Sequence, residues 1–421
     1  MTCGEAFEFC MTQASTICIA LSDVKEARHK IQDYVNLSPC NLSFGLSTQL
    51  GCKLYLKMEN LQRTGAYKDR GAMNAVLSLD DAHKKAGVLA ASAGNHAQGL
   101  AFAAQCNGIH ATIVMPETAP LSKQRGTEQY GAEIVLHGNS YDDAFQRATE
   151  LQKEKGYTFV HAFDDPRVIA GQGTVGLELL EQNPYLEVFV VPVGGGGLAA
   201  GMAVALKEVN PKVRIVGVQA ENIASMKASM EAGKIVTVSG STIADGIAVA
   251  RPGEHTFPIV HKYLDEIVTV SEEEIANAIL VLLESEKTVV EGSGGVGVAA
   301  VLNGKIADIA GKQVCCVLTG GNIDTTFLST ILRRGLAKDG RLAKISVIVP
   351  DRPGSIVDLA AIAASQQANI LDIHHGRTFT SAAFRETEIE LMVETRGPEA
   401  VEALLRTMAA KGYQAQPFKF E

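Results

Sequence analysis

The chain has 421 residues, 46% hydrophobic and 20% charged, which supplies a sizeable core and excludes disorder as the dominant state. Lys and Arg total 38 against 47 Asp and Glu, a formal charge of −9 with no basic block, so neither nucleic acid nor a membrane is expected as a partner. With 40 Gly, no Trp and 5% aromatics, the composition favours an α/β enzyme rich in tight turns. The eight cysteines form no C-x-x-C pair and no Cys/His spacing that fits zinc, so no zinc site is expected, and scattered thiols suit a reducing cytoplasm. The N-terminal stretch is acidic, with no basic n-region before an apolar core, so no signal peptide is expected.

Residues 1–20 read as an N-terminal extension. Beyond them short apolar runs alternate with helical stretches. Strands are predicted at 53–58, 87–91, 111–115, 133–136, 158–161, 188–193, 214–219 and 314–318. They are rich in Val and Ile and mostly apolar on both faces, as in parallel sheets covered by helices. Helices are clearest at 95–106, 141–155 and 272–284. The uncharged stretch 188–206 is long enough for a membrane span, but Pro192 and four glycines make it a buried strand turning into a helix. The alternation predicts open α/β sheets with ligands at the carboxyl ends of the strands.

The pattern changes near residue 340. Residues 336–343 read as a polar linker, and 344–421 as a separate block. Ile345, Val347 and Val349 alternate as a strand, and Asp351-Arg352-Pro353-Gly354 is a turn. Ile356, Leu359 and Ile362 recur at helical spacing. Two further strands, a helix opened by Gly397-Pro398 and a last strand complete a βαββαβ order, a small ferredoxin-like α+β sandwich. His374 and His375 fall side by side on a strand, so they point to opposite faces and make no metal pair.

Three segments carry chemistry. VGGGGL at 193–198 follows an apolar strand and opens a helix, where bare N–H groups and a partial positive charge suit a phosphate. Gly195, Gly197 and Ala200 also fit G-x-G-x-x-A, with Glu221 after the next strand, so an NAD-binding enzyme stays open at this point. The segment 60–72, NLQRTGAYKDRGA, centres on Lys68. The segment 92–99, SAGNHAQG, also lies between a strand and a helix and offers amides to a carboxylate.

Together with TIADG at 242–246, EGSGGVGVAA at 291–300 and CVLTGGNID at 316–324, these segments resemble, in order, the serine/threonine dehydratases of the tryptophan-synthase-β-like family of pyridoxal-phosphate (PLP) enzymes. The resemblance runs over about 21–335. It implies two open twisted-sheet subdomains, the smaller formed by about 55–155, and pyridoxal 5'-phosphate as cofactor. By position, Lys68 would hold the cofactor covalently, with Tyr67 packed beside it and Asn95 on its 3-oxygen. Gly194, Gly195, Gly196, Gly197 and Leu198 would cradle its phosphate. Gly246 and Glu291 would lie against it, and Thr319 would stand opposite the pyridine nitrogen. Ser92, Ala93, Gly94, Asn95 and His96 would clamp the substrate carboxylate. The activity implied is β-elimination from L-threonine, and from L-serine, to a 2-oxo acid and ammonia.

Two departures narrow this expectation. Ala93 stands where serine racemases of the family carry a second base, so elimination without efficient racemisation is expected. Lys227 stands where some relatives place an aspartate six positions after their metal-binding glutamate, here Glu221, which argues against a tight divalent site. The string KDRG also resembles threonine synthase, which stays an alternative. The C-terminal block resembles an ACT domain. That resemblance implies a small amino-acid effector of the branched-chain kind, with Asp351, Gly354, Asn369 and Ile370 as candidate contacts, and a homodimer or homotetramer. A non-enzymatic amino-acid sensor binding through this block is the remaining alternative.

Overall fold

The structure, a computed structural model, describes residues 18–377 and 382–418. The N-terminal extension lies outside the described residues up to residue 17, but Ile19 is 5% exposed and packs in the main core, so the fold begins before residue 20. The chain divides into two compact units after Asp324.

The first unit holds two sheets. The larger is built from β1 (Cys40–Leu42), β2 (Lys53–Lys57), β7 (Val188–Pro192), β8 (Arg214–Ala220), β9 (Glu266–Val270) and β10 (Gln313–Val317), in the order β1-β2-β10-β7-β8-β9. Only the edge strand β1 runs antiparallel to its neighbour. The smaller sheet is wholly parallel, β3 (Val88–Ala91), β4 (Ala111–Met115), β5 (Glu133–Leu136) and β6 (Thr158–Phe159), in the order β5-β4-β3-β6. Every residue of β3, β4 and β7 is buried, as a strand covered by helices on both faces requires. β2, inside the expected range of the small subdomain, belongs to the larger sheet, and the core beside the smaller sheet takes in Ile31 as well as the helix Lys68–Leu77.

Sequence-local signals start and stop the helices that frame these sheets. The helix Tyr141–Lys155 opens on a Ser140/Asp143 capping box and closes on Gly156 in the left-handed region, and Ser271 with Glu274 opens Glu272–Glu286 the same way. Asp165 caps the long helix Pro166–Gln182, whose proline needs no amide partner in the first turn. β1 and β9 were not expected from the sequence. β1 has three residues with none buried, and β9 is an edge strand whose residues alternate incompletely, so neither shows a clean period.

The residues expected as a linker lie within the second unit and are mostly regular structure. Residues 336–343 are the end of the helix Thr325–Lys338, a turn and the first residues of β11 (Leu342–Pro350). β12 (Asn369–Gly376), β13 (Glu386–Glu394) and β14 (Gln414–Pro417) complete an antiparallel sheet in the order β12-β13-β11-β14. With Ser355–Ser365 and Pro398–Ala410 as its helices, this is the expected βαββαβ sandwich. Its core joins Ile345, Val347 and Val349 to Ile389, Leu391, Val393, Leu359, Ile362, Leu404 and Met408.

Candidate active site

The singled-out segments converge at the carboxyl ends of the strands. Lys68 follows β2, Ser92–Asn95 follows β3, the glycine turn follows β7 and Thr319 follows β10. Lys68 opens its helix half-buried, and its Nζ donates to the Ala162 carbonyl at 2.7 Å. Burial lowers the ammonium's pKa to about 8, against a smaller opposing pull from Glu291. Gly99 of the crossing helix Asn95–Cys106 lets the two backbones approach, since a Cβ there would lie 3.1 Å from the Lys68 carbonyl carbon. Tyr67 sits with its ring centroid 5.2 Å from Lys68 Nζ, and burial pushes its hydroxyl well above the usual range.

The residues after Lys68 are anchored in turn. Asp69 accepts from the Thr64 amide and hydroxyl, and burial raises its pKa to about 6. Arg70 forks onto Glu59 and Glu178, with Lys57 also on Glu178 at 2.7 Å. Arg70 and Lys57 are the two largest fully buried side chains among the described residues.

A chain of side-chain hydrogen bonds runs through Asn322, Asn95, Glu291 and Ser293. Asn95 Nδ2 donates to Glu291 Oε1 at 2.7 Å, and Asn322 Nδ2 donates to Asn95 Oδ1 at 2.8 Å. Ser293 donates to the same Glu291 oxygen at 2.6 Å. Burial raises the Glu291 pKa, partly opposed by these bonds. Gly246 lies against this carboxyl, where a Cβ would come within 2.6 Å of Ser293 Oγ.

The His96 side chain is turned into the fold, so only its backbone amide is left for the expected carboxylate clamp. Its ring is buried, with Nε2 at 2.8 Å from the Val160 carbonyl, and burial beside Lys68 lowers its pKa to about 3. The 92–96 loop therefore offers backbone amides at a helix N-terminus rather than an imidazole. Within it Ser92 Oγ accepts from the Gly94 amide, and Ala93 presents only a methyl.

Two observations test whether a phosphorylated pyridine fits. Thr319 is 3% exposed, and its buried hydroxyl has no hydrogen-bond partner among the described residues, where a ring nitrogen would supply one. The turn Gly194–Gly197 is a cradle that side chains would fill: a Cβ on Gly195 would lie 2.4 Å from the Phe163 ring, and Gly196 has φ +101°. Its amides open the helix Gly197–Val209, with Leu198 buried behind them. The residues fit the group.

The family of pyridoxal-phosphate dependent enzymes matches residues 31–320. This chain belongs to that family. The L-threonine ammonia-lyase of Thermotoga maritima is 50% identical over 399 residues, covering 94% of this chain and 99% of that protein. The processed form of threonine deaminase isoform 2 from Solanum lycopersicum is 35% identical, covers 79% of this chain and 93% of that structure, and superposes with a TM-score of 0.71. Maize serine racemase is 35% identical, covers 76% and 99%, and reaches 0.72. Membership removes the NAD reading, although β7, the glycine turn and β8 do form the parallel βαβ unit on which it rested. Glu221 opens a single 3-10 turn and is exposed; the described residues contain no cluster of three metal-ligating side chains, and none of their helices is long and apolar enough to cross a membrane.

Sequence reasoning missed Ala162, Phe163, Ser293 and Asn322 as parts of the site. A backbone carbonyl leaves no residue signal, and the other three act only through the tertiary contacts above. The low Lys68 pKa makes a prediction for the cofactor-free protein. Its rate of reaction with pyridoxal phosphate should rise with pH through about 8, as the nucleophilic free amine forms, not near the ordinary lysine value. Stopped-flow absorbance across pH 6–10 reads this, and a midpoint near ~10.4 would contradict it.

Proposed function

We propose that this chain is an L-threonine ammonia-lyase, converting L-threonine to 2-oxobutyrate and ammonia and also L-serine to pyruvate and ammonia. The observation that carries it is the Lys68 amine on the Ala162 carbonyl, in the same unit as the Asn95–Glu291 pair and the glycine turn, in a chain whose full-length relatives bear that name.

Pyridoxal phosphate, when bound, supplies an electron sink for the bond broken at the amino acid's α-carbon. Lys68 would hold it, the Gly194–Leu198 amides would take its phosphate, and Asn95 would sit at its 3-oxygen. Thr319 would face its ring nitrogen with a hydroxyl. A hydroxyl does not force that nitrogen to protonate as a carboxylate would, which suits elimination over reactions that need a long-lived carbanion. Lys68, kept easily deprotonated by burial, takes the α-proton. The β-hydroxyl leaves with a proton as water, and the released unsaturated amine hydrolyses to 2-oxobutyrate and ammonia. The amides of the 92–96 loop would hold the substrate carboxylate. Ala93 transfers no proton from the other face, so D-serine formation from L-serine should be a small fraction of pyruvate formation. A racemisation rate comparable to elimination, read on a chiral column, would overturn this.

The second unit is read as an ACT-like regulatory module on a cytoplasmic homo-oligomer, a dimer or tetramer. Supporting the effector-binding part of this reading is a cleft of about 480 Å³ lined by Asp351, Gly354, Ile356, Val357, His375 and Arg377. Asp351 and Gly354 were candidate contacts. Asn369 and Ile370 do not line it: they start β12, and Ile370 packs on the core, while the far end of the strand supplies His375. His374, its neighbour, is exposed. If isoleucine, valine and leucine neither bind the protein by calorimetry nor change its rate, the regulatory reading fails.

A further inference from the structure

The crossover from the smaller sheet into the helix Pro166–Gln182 carries two acids in sequence, and they do different things. Asp165 caps its own helix through the Arg167 amide. Asp164 turns away and takes three amides of a segment distant in sequence: Glu254 N at 2.9 Å, His255 N at 2.8 Å and Thr256 N at 3.3 Å. The seat exists because residue 253 is glycine; a Cβ there would fall 2.2 Å from Asp164 Oδ1. The captured segment then holds the glycine turn. Thr256, fully buried, donates its hydroxyl to the Gly195 carbonyl at 2.5 Å, and the Gly253 amide approaches the same oxygen at 3.3 Å. On the other side of Asp164, Phe163 packs under Gly195 and Gly197, and Ala162 receives Lys68.

We propose that Asp164 and Thr256 are positioning residues that lock the Gly194–Gly197 turn in register with Lys68. A turn of consecutive glycines has no side chains to fix it, and its backbone loses much entropy on ordering. The Asp164–Thr256 relay fixes it from behind by a carbonyl, leaving the amides on the opposite side to point at a phosphate. Asp164 is thereby a carboxylate that serves an anion site without facing it. A bare acid turned toward the phosphate would repel it, whereas one spent on three amides of another segment carries its charge into those bonds.

This inference rests on the glycine turn being the phosphate cradle, and the test separates the two claims. Apoprotein is titrated with pyridoxal phosphate and, separately, with pyridoxal, which has the aldehyde but no phosphate; absorbance of the lysine-linked chromophore gives each affinity. The variants are Asp164→Asn and the near-isosteric Thr256→Val, with the thermal midpoint of each apoprotein measured alongside. The expected result is a tenfold or greater loss of affinity for pyridoxal phosphate in each variant, with pyridoxal affinity within about threefold of the parent. The phosphorus-31 resonance of bound cofactor should also shift or broaden, which a merely structural lesion elsewhere would not cause. Equal weakening toward both aldehydes, or unchanged affinity for both, overturns the positioning role. If Asp164→Asn fails to fold, Thr256→Val alone decides by the same criterion. A parent that shows no preference for pyridoxal phosphate over pyridoxal instead overturns the cradle itself.

Discussion

Lys68→Ala is expected to lower kcat for L-threonine by at least about 10⁴-fold, because one side chain both holds the cofactor and moves the α-proton, and a positioned general base alone is worth roughly 10²–10⁴. Its fold should survive. Lys68 is half-buried, its side chain bonds one carbonyl, and the neighbouring anchors Asp69–Thr64 and Arg70–Glu59 do not depend on it. Removing an amine that burial already holds below its ordinary pKa should cost little stability. The variant should therefore unfold at a denaturant midpoint close to the parent's while giving no 2-oxo acid above background. Turnover within a hundredfold of the parent would assign the proton transfer to another group.

Arg70→Met should do the reverse and strike the fold first. The guanidinium is fully buried and answers two carboxylates, Glu59 and Glu178; without it Glu178 keeps Lys57 and Glu59 loses its ion-pair partner. Breaking a buried ion network by deleting one partner costs about 3–5 kcal/mol, because the surviving charge stays in low dielectric. The pH dependence should change sign. In the parent, burial pushes the Glu59 carboxyl up, but Arg70, Lys57 and the Ser38 hydroxyl together hold it below its ordinary value. Its stabilisation is therefore complete above the ordinary carboxylate pKa of about 4.3 and is lost as pH falls through the lower folded value. Without Arg70, burial prevails for one of the two acids, its folded pKa rises, and the variant should gain stability as pH falls from 7 toward 5. Urea midpoints at pH 7 and pH 5 read this. A loss under 1 kcal/mol at pH 7, or a variant that loses more stability than the parent on acidification, would contradict it. Replacing Lys57, Glu59, Arg70 and Glu178 together by apolar residues of similar volume should restore much of the loss.

Much of the fold was legible because its signals are local. Strands such as Ala111–Met115 are apolar on both faces, and the helix Tyr141–Lys155 carries its own caps. The alternation in Glu386–Glu394 marked a half-buried strand of the small sandwich. The edge strands Cys40–Leu42 and Glu266–Val270 lacked that signal because one flank is unpaired and their burial is partial. The helix Thr325–Lys338 hid behind its Arg-Arg-Gly stretch; only Ile331 in it is buried.

The segments of the candidate site were legible because each is a motif at a strand end, with Lys68, Asn95, Thr319 and the glycine turn among them. The site was not legible where function rests on what a side chain meets across the fold. The His96 ring, for one, turns to the Val160 carbonyl, and no spacing in the loop signals that contact. Asp164 looked like one of two adjacent acids before a helix, yet it seizes three amides some ninety residues away. Such pairings are fixed by the parallel topology, which brings the carboxyl ends of both sheets to one place.

The most direct test of the central claim is release of 2-oxo acid and ammonia by the purified protein supplied with pyridoxal phosphate and L-threonine. The account predicts 2-oxobutyrate and ammonia in equal amounts, with L-serine giving pyruvate beside it. No release from either substrate, by protein that carries a borohydride-reducible lysine-linked chromophore, would keep the cofactor and contradict the lyase.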